Sequence, residues 1–344
     1  MGGWRFLAIA RRVLWGCVLA GYLVGPSSAP AADVKVVLPR AELRSFIETM
    51  TRKHGFDRDE LVRLFNQIGP RPEVIEAITR PAEALPWPEY RALLLTAARV
   101  EEGVAFWKEH AHILARATTV SGVPAEVIVA ILGIESSYGQ NTGRHPVLET
   151  LATLAFAYPP RAPFFRKELE EYLLFTREEN LDPLALKGSY AGAMGPGQFI
   201  SSSYRHFAVD FNGDGRRDLL DNMEDVIGSV AHYLQAHGWR ADDGVASPAE
   251  AARQQRVAVP VSTLDVCSPG PGMGRAPNDG VSSLTTPPRS LLVLERGMDR
   301  ENWMIGPNFC VITRYNRSLL YAMAVHQLSQ EIVAASAEAR ATQR

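Results

Sequence analysis

Between Val127 and Gly139 the chain reads VIVAILGIESSYG, an apolar run with no charge until it closes on one carboxylate, Glu135, and the hydroxyls of Ser136 and Ser137. Pro124 at a first helical turn and Gly139 as a stop bracket one buried helix. On it Ile128, Ile131, Leu132 and Glu135 share a face, so the carboxyl ends an apolar stripe. Desolvation there disfavours the charged form and lifts a Glu from about 4.3 towards about 6, where a protonated carboxyl serves as general acid. An ordinary last-turn Glu facing solvent is the bland alternative.

A second stretch with chemistry in it is Lys187 to Phe199, KGSYAGAMGPGQF, where four glycines and two alanines in thirteen residues leave the main chain open to a ligand. No Lys-Ser/Thr pair follows its last Gly, so it is not a phosphate cradle. Ser189 and Gln198 are neutral hydrogen-bonding groups suited to hydroxyls and amides, which points to sugar. A third is Asp210-Phe211-Asn212-Gly213-Asp214-Gly215, which fits the calcium-loop template: oxygen ligands at one, three and five, Gly at six and the Arg216 carbonyl at seven. Its twelfth residue, Asp221, is one methylene shorter than the usual Glu, so Glu224 or Asp225 are alternative closers; an Asx-rich turn without metal is the other reading. Ca²⁺ here would be structural. Arg314-Tyr315-Asn316 offers an aromatic and an amide, with Tyr321 a turn further on; Arg161 lies in a Pro-rich break, where a helical residue would be a packing or solvated Arg and a loop residue beside the carboxylate could bind substrate, the sequence alone favouring the former slightly.

The elements that position these groups are mostly helical. Residues 39–120 carry 3.6-period stripes (Leu43, Phe46, Ile47, Met50; Leu61, Leu64, Phe65, Ile68 behind an Asp57/Glu60 capping box; Val74, Ile75, Ile78). One helix is expected from Ala97 to Thr119 with Val104, Trp107, His110 and Ile113 or Leu114 inward, and Pro81 to Pro88 breaks the pattern. Helix resumes over Leu148 to Phe156, from Pro163 to Phe175, and over Met223 to Ala236 with Val226, Ile227, Val230, Tyr233 and Leu234 as its core stripe. From Gly238 to about Asn308 Gly and Pro cluster and β-like runs stand at Val257 to Val261, Leu291 to Leu294 and Phe309 to Thr313, an inserted small β unit with a long loop over Ser268 to Pro288. Tyr315 and Asn316 then occupy a strand-to-helix junction, and a packed helix from Ser318 carries Leu320, Met323, Ala324, Gln327 and Leu328.

Residues 1–32 read as an export signal: Arg5, Arg11 and Arg12, an apolar run from Val13 to Val24, and Ala29-Pro30-Ala31 as cleavage site. Trp15 before Cys17 departs from a lipoprotein signal, and the run is about half a membrane span. Removing those three Arg shifts the formal net charge from −2 to −5, so no whole-chain electrostatic case for nucleic acid exists. Cys267 and Cys310 remain, either a disulfide in an oxidising compartment or two buried thiols.

With these residues in view the chain resembles the membrane-bound lytic murein transglycosylase B family, including its soluble forms. The resemblance is carried by Gly133 to Gly139, Lys187-Gly188-Ser189, Gly192 to Gly195, Gly197-Gln198-Phe199, Asp210 to Gly215, Ile227 to Val230 and Arg314-Tyr315-Asn316, over most of residues 40–330. It implies a mainly α (α+β) fold: a lysozyme-like helical core (121–240), a helical domain from both chain ends (33–120 and 309–344) and an inserted β domain (241–308). It implies cleavage of the MurNAc–GlcNAc bond of peptidoglycan strands with a 1,6-anhydro end, in the periplasm, as a monomer with no stable membrane span and no organic cofactor. The single acid falls on Glu135, and the sugar contacts on Ser189, Gln198, Tyr315, Asn316, Arg161 and Tyr321. Calcium ligands fall on Asp210, Asn212, Asp214 and the Arg216 carbonyl; the segment before Ile227 is one residue longer than the family pattern, which favours Asp225 over Asp221 as the last ligand. A hydrolytic muramidase, with Asp182 or Asp242 as second carboxylate, and a non-catalytic glycan binder are the other classes.

Overall fold

The computed structural model describes residues 38–80, 85–249, 260–261, 267, 290–296 and 299–342. The expected export signal, most of the Val257 to Val261 run and the Ser268 to Pro288 loop lie outside them.

Six helices open the described chain: α1 (Arg40–His54), α2 (Arg58–Phe65), α3 (Pro72–Ile78), α4 (Trp87–Leu94), α5 (Ala97–Glu109) and α6 (Ala111–Ser121). Asp57 caps α2 by accepting from the Glu60 amide at 2.8 Å. The single helix expected over 97–119 is two helices, bent at His110, whose ψ of 21° leaves the helical range. The bend rotates the inward face: Arg99, Gly103, Phe106, Leu114 and Ala117 are buried, while Val104, Trp107, His110 and Ile113 are only half-buried.

Helix α7 (Ala125–Ser136) runs through the centre, buried from Val127 to Ser136. Pro124 is its N-cap rather than its first turn, and it ends three residues before Gly139, because Ser137 already turns left-handed at φ 50°. Then follow α8 (Val147–Ala157), a 3-10 turn at Pro159–Arg161, α9 (Ala162–Glu178), α10 (Ser201–Phe207) and α11 (Met223–Ala236). The core stripe of α11 is buried at all five expected positions.

Strands β1 (His145–Pro146) and β2 (Lys187–Gly188) form a two-stranded ribbon. A second sheet has the order β3 (Ala246–Pro248), β6 (Asp299–Ile305), β5 (Ser290–Arg296), β4 (Pro260–Val261), antiparallel except for β4 on β5. Leu292 and Leu294 alternate inward on β5, which packs on α4. The run Phe309 to Thr313 is not a strand: it lies in α12 (Pro307–Tyr315), where Pro307 sits at the first turn and Phe309 and Ile312 bury one helical face. A short apolar run carries too little periodicity to separate the two states. Tyr315 and Asn316 therefore join two helices, α12 and α13 (Leu319–Thr342), and α13 returns to pack on α4, α5 and α7. Cys267 and Cys310 are joined by a disulfide that ties the insertion to α12.

Candidate active site

Why α7 ends where it does is set by Tyr138. Ser137 and Tyr138 both take left-handed φ, 50° and 59°, unusual for residues with a Cβ. The double turn throws the Tyr138 ring back against its own helix, stacked 5.4 Å from Phe106, with its hydroxyl donating to the Arg99 carbonyl at 2.7 Å. Burial pushes that phenol well above its ordinary pKa, so it remains a donor. Gly133 is the place where the ring rests: a Cβ there would lie 2.6 Å from the phenol oxygen and 2.7 Å from Cζ. Ser136 continues the clamp, donating to the Pro196 carbonyl at 2.6 Å and accepting from the Gly139 amide at 2.9 Å. Glu135 is thus held between a packed turn and the Gly-rich loop.

Glu135 is buried, 6% exposed, and its Oε1 accepts the Tyr321 hydroxyl at 2.6 Å. Tyr321 comes from the first turn of α13 and is itself buried. The Tyr315 hydroxyl, at the end of α12, donates to the Gly197 carbonyl at 2.6 Å, and its ring meets Phe199 and Tyr233 edge-on at 5.9 and 5.0 Å. Gln198, at φ 51°, donates through Nε2 to the carbonyls of Thr142 and Gly195 at 3.0 and 2.9 Å. Ser189 Oγ accepts the Ala191 and Ala193 amides at 3.3 and 3.1 Å and shapes the Gly-rich turn. Four segments therefore meet: the end of α7, the loop to Gly143, the Gly-rich loop, and the α12–α13 junction with buried Asn316.

Arg161 stands between α8 and α9, within electrostatic reach of Arg317. On the 3-10 turn, its guanidinium lies over Phe164 at 4.4 Å and Phe165 at 5.2 Å. Burial lowers its pKa, Tyr158 and Glu168 work against that, and Arg317, the residue after Asn316, adds to it. The two carboxylates singled out as second acids are both exposed, Asp182 capping the Leu184 amide. Glu168 is a buried carboxyl that the sequence did not flag, because on α9 it reads as one charge among several. Both its oxygens accept from Ser202, the amide at 2.9 Å and the hydroxyl at 2.7 Å, and desolvation raises its pKa. It secures the start of α10, directly after the Gly-rich loop.

The 210–225 segment closes on itself. Asp210 accepts amides of Gly213, Asp214 and Gly215, and Asp214 accepts that of Arg216 and the Asn212 side chain, which holds its carboxyl below the usual range. Asp225, fully buried, reaches from α11 to the amides of Phe211, Asn212 and Asp218. Asp221 is exposed and makes no such bond. Among the described residues no three His, Cys, Asp or Glu side chains form a ready cage. The side chains linked through this segment, Asp210, Asn212, Asp214 and Asp225, offer oxygen donors, which fits a hard cation and no soft one.

Residues 39–330 match the family described as the Transglycosylase SLT domain. The chain belongs to that family. It is 42% identical over 304 residues to the membrane-bound lytic murein transglycosylase B of Escherichia coli (strain K12), covering 85% of this chain and 82% of that one. The soluble lytic transglycosylase SltB1 of Pseudomonas aeruginosa superposes with a TM-score of 0.70 at 42% identity, over 86% of this chain and 99% of its own. The Escherichia coli lytic transglycosylase Slt35, solved in complex with calcium, gives 0.71 at 38% identity over 90% and 100%; Slt35 is also solved in complex with bulgecin A. The mainly helical, lysozyme-like fold is that of these enzymes. Among the described residues no single helix is long and apolar enough to cross a membrane.

Proposed function

We propose that this lytic murein transglycosylase cuts the β-1,4 bond between MurNAc and GlcNAc without water, with Glu135 as its one acid and then its base. The observation that carries the reading is the buried Glu135 carboxyl, oriented by Tyr321 at the meeting point of four segments. Protonated Glu135 gives its proton to the glycosidic oxygen, the C1–O bond breaks, and an oxocarbenium-like or N-acetyl-assisted intermediate follows. The Glu135 carboxylate then takes the proton of the sugar's own C6 hydroxyl, whose oxygen bonds to C1. Atoms balance, the enzyme is regenerated, and the product end is 1,6-anhydro-MurNAc. Facing O6 towards C1 is an orientation effect, which we assign to Ser189, Gln198, Tyr315 and Asn316, with Arg161 at the edge.

Mass spectrometry of products released from sacculi by the mature protein tests this. Anhydro ends, one water lighter than reducing ends, are expected. Glu135→Gln should lower the rate about 10² to 10⁴-fold while the fold persists; reducing ends, or retained activity in that variant, would sink the mechanism.

The Asp210–Asp225 loop we assign to structural Ca²⁺, held by Asp210, Asn212, Asp214, the Arg216 carbonyl and Asp225. The calcium complex of Slt35 and the oxygen-only donor set support this. Bound there, the cation would offset two of the three carboxylate charges and stiffen the link between the Gly-rich loop and α11. Adding Ca²⁺ at 100 times its Kd should stabilise the protein by about 2.7 kcal/mol, and Asp225→Asn should abolish the shift in melting temperature. An unchanged melting temperature in wild type would remove the metal from the account.

Export to the periplasm by residues 1–32 is our reading too, supported by the Cys267–Cys310 disulfide, a bond of oxidising compartments. So is the division into a helical domain at 33–120, a core at 121–240, an inserted β domain at 241–308 and a helical return at 309–344 that completes both; the packing of α13 on α7 as well as on α4 and α5 supports it.

A further inference from the structure

The tip of the Gly-rich loop is a tight turn, Gly195-Pro196-Gly197-Gln198, closed by an antiparallel bridge between Met194 and Phe199 with bonds of 2.9 and 3.0 Å. Three successive carbonyls of this turn each hold a different part of the site. Gly195 accepts Gln198 Nε2 at 2.9 Å, Pro196 the Ser136 hydroxyl at 2.6 Å, and Gly197 the Tyr315 hydroxyl at 2.6 Å. Wherever the turn sits, those side chains follow, and Ser136 is the chain neighbour of Glu135.

The turn is seated on main chain. Gly195 has φ 68°, and a Cβ on it would lie 2.0 Å from the Leu219 carbonyl oxygen and 3.1 Å from the carbonyl carbon. Backbone thus lies directly on backbone, with no flexible side chain between them to absorb a shift. Leu219 is held in turn by Tyr204 of α10: the one hydroxyl accepts the Leu219 amide at 2.8 Å and donates to the Arg217 carbonyl at 2.8 Å. The Tyr204 ring is buried and lies 4.2 Å from the Phe175 ring of α9, so the core fixes where the hydroxyl stands. Burial pushes this phenol well above its ordinary pKa, which keeps the proton that the Arg217 bond needs. The amide between these two contacts, that of Asp218, goes to Asp225.

Resting on the transglycosylase reading, we propose that Tyr204 is a positioning residue for the reaction. By stapling residues 217–219 it supplies the wall on which the 195–198 turn is seated, and through the three carbonyls of that turn it fixes Gln198, Tyr315 and the Ser136 clamp beside Glu135. It acts through Leu219 and Gly195. Losing the hydroxyl should therefore disturb how the sugar is oriented over the acid more than how many contacts hold it, which is an effect on turnover rather than on binding.

Tyr204→Phe keeps the ring and removes both bonds. With soluble glycan fragments as substrate, well below the melting temperature of the variant, kcat should fall about tenfold while KM stays within about twofold. Amide exchange, read residue by residue without substrate, follows the path. The Leu219 amide loses its acceptor and must exchange faster; the Gln198 amide, bonded to the Gly195 carbonyl at 3.0 Å across the contact, should accelerate about tenfold as well. Ile131 and Leu132 of α7 should keep their wild-type protection. A Gln198 amide as protected as in wild type, or an unchanged kcat in the folded variant, would overturn the proposal. So would equal acceleration through α7, which would make Tyr204 a residue of general stability. The exchange readout needs no turnover, so a wild type that releases no anhydro ends would refute the reaction while the seating of the turn is still decided by Gln198.

Discussion

Helix α12 separates two regions fastened in different ways. On one side, the site is tied by side chains that bond backbone carbonyls: Ser136 to Pro196, Tyr138 to Arg99, Tyr315 to Gly197, Gln198 to Thr142 and Gly195. On the other side, a side-chain relay runs from α4 through α13 to β6 of the inserted sheet. Arg91 donates to Gln327 at 2.8 Å, Gln327 to Glu301 of β6 at 3.0 Å, and Trp303 to the same Glu301 oxygen at 3.3 Å, with Cys267–Cys310 as the covalent tie. A carbonyl acceptor does not titrate and is fixed by its own secondary structure, whereas rotamer-rich side chains cost entropy to order and respond to the medium. The region to which we assign the sugar is built mostly the first way, with Tyr321 to Glu135 as its side-chain pair. The appended sheet is built the second way, so redox state and acidity should loosen it before they disturb Glu135.

The largest effect should come from the disulfide. Closing a loop across a sequence separation of 43 residues is worth about 4 kcal/mol in the chain-entropy account, so reduction, or Cys310→Ser, should speed amide exchange in β5 and β6 by up to about 10³-fold. Exchange in α7 should be unchanged. Equal acceleration in both regions would mean that they unfold as one unit, and the contrast would fall.

Gly133→Ala probes the other side and should cost about 3 kcal/mol, the upper end of overpacking, because the new methyl meets the Tyr138 ring below 3 Å in a filled core. Urea unfolding measures it. Unlike reduction, this change should reduce activity together with stability, since the ring that it displaces fixes the turn after Glu135. A variant that loses stability yet keeps its full rate would show that this turn does not position the acid.

How far the sequence discloses these regions follows from the same difference. Glu135 and the Gly-rich loop are legible because one charge in an apolar run and four glycines in thirteen residues are local anomalies. The stripe of α11 and the cap of α2 are legible because their periods and spacings are local too. The roles of Ser136 and Tyr138 are not, since their partners, Pro196 and Arg99, are far along the chain and are backbone atoms that any residue supplies. Glu168 is hidden for that reason as well, its bond to Ser202 spanning 34 residues. Phe309 to Thr313 misled by being short and apolar, and the bend at His110 by occurring inside an unbroken helical pattern.

His326 gives the finest test. It sits on α13 with its ring edge-on to Trp303 of β6 at 5.6 Å, so it belongs to the docking surface of the sheet. Burial pushes its pKa from 6.5 down to about 4. With the folded value depressed, the unfolded chain takes up a proton between those two values while the folded protein does not. Stability therefore rises with pH across that window, and is lost as pH falls from about 6.5 towards 4. Allowing for its partial exposure, we expect roughly 2 kcal/mol between pH 7 and pH 4.5. His326→Phe keeps a ring against Trp303 and removes the titration, so the acid limb of a melting-temperature profile should flatten by that amount while the profile above pH 7 stays parallel to wild type. Exchange at acid pH should open β6 ahead of α7. If the variant's acid limb matches that of wild type, the sheet is not docked through a proton-sensitive contact, and the disulfide alone carries the distinction between the two regions.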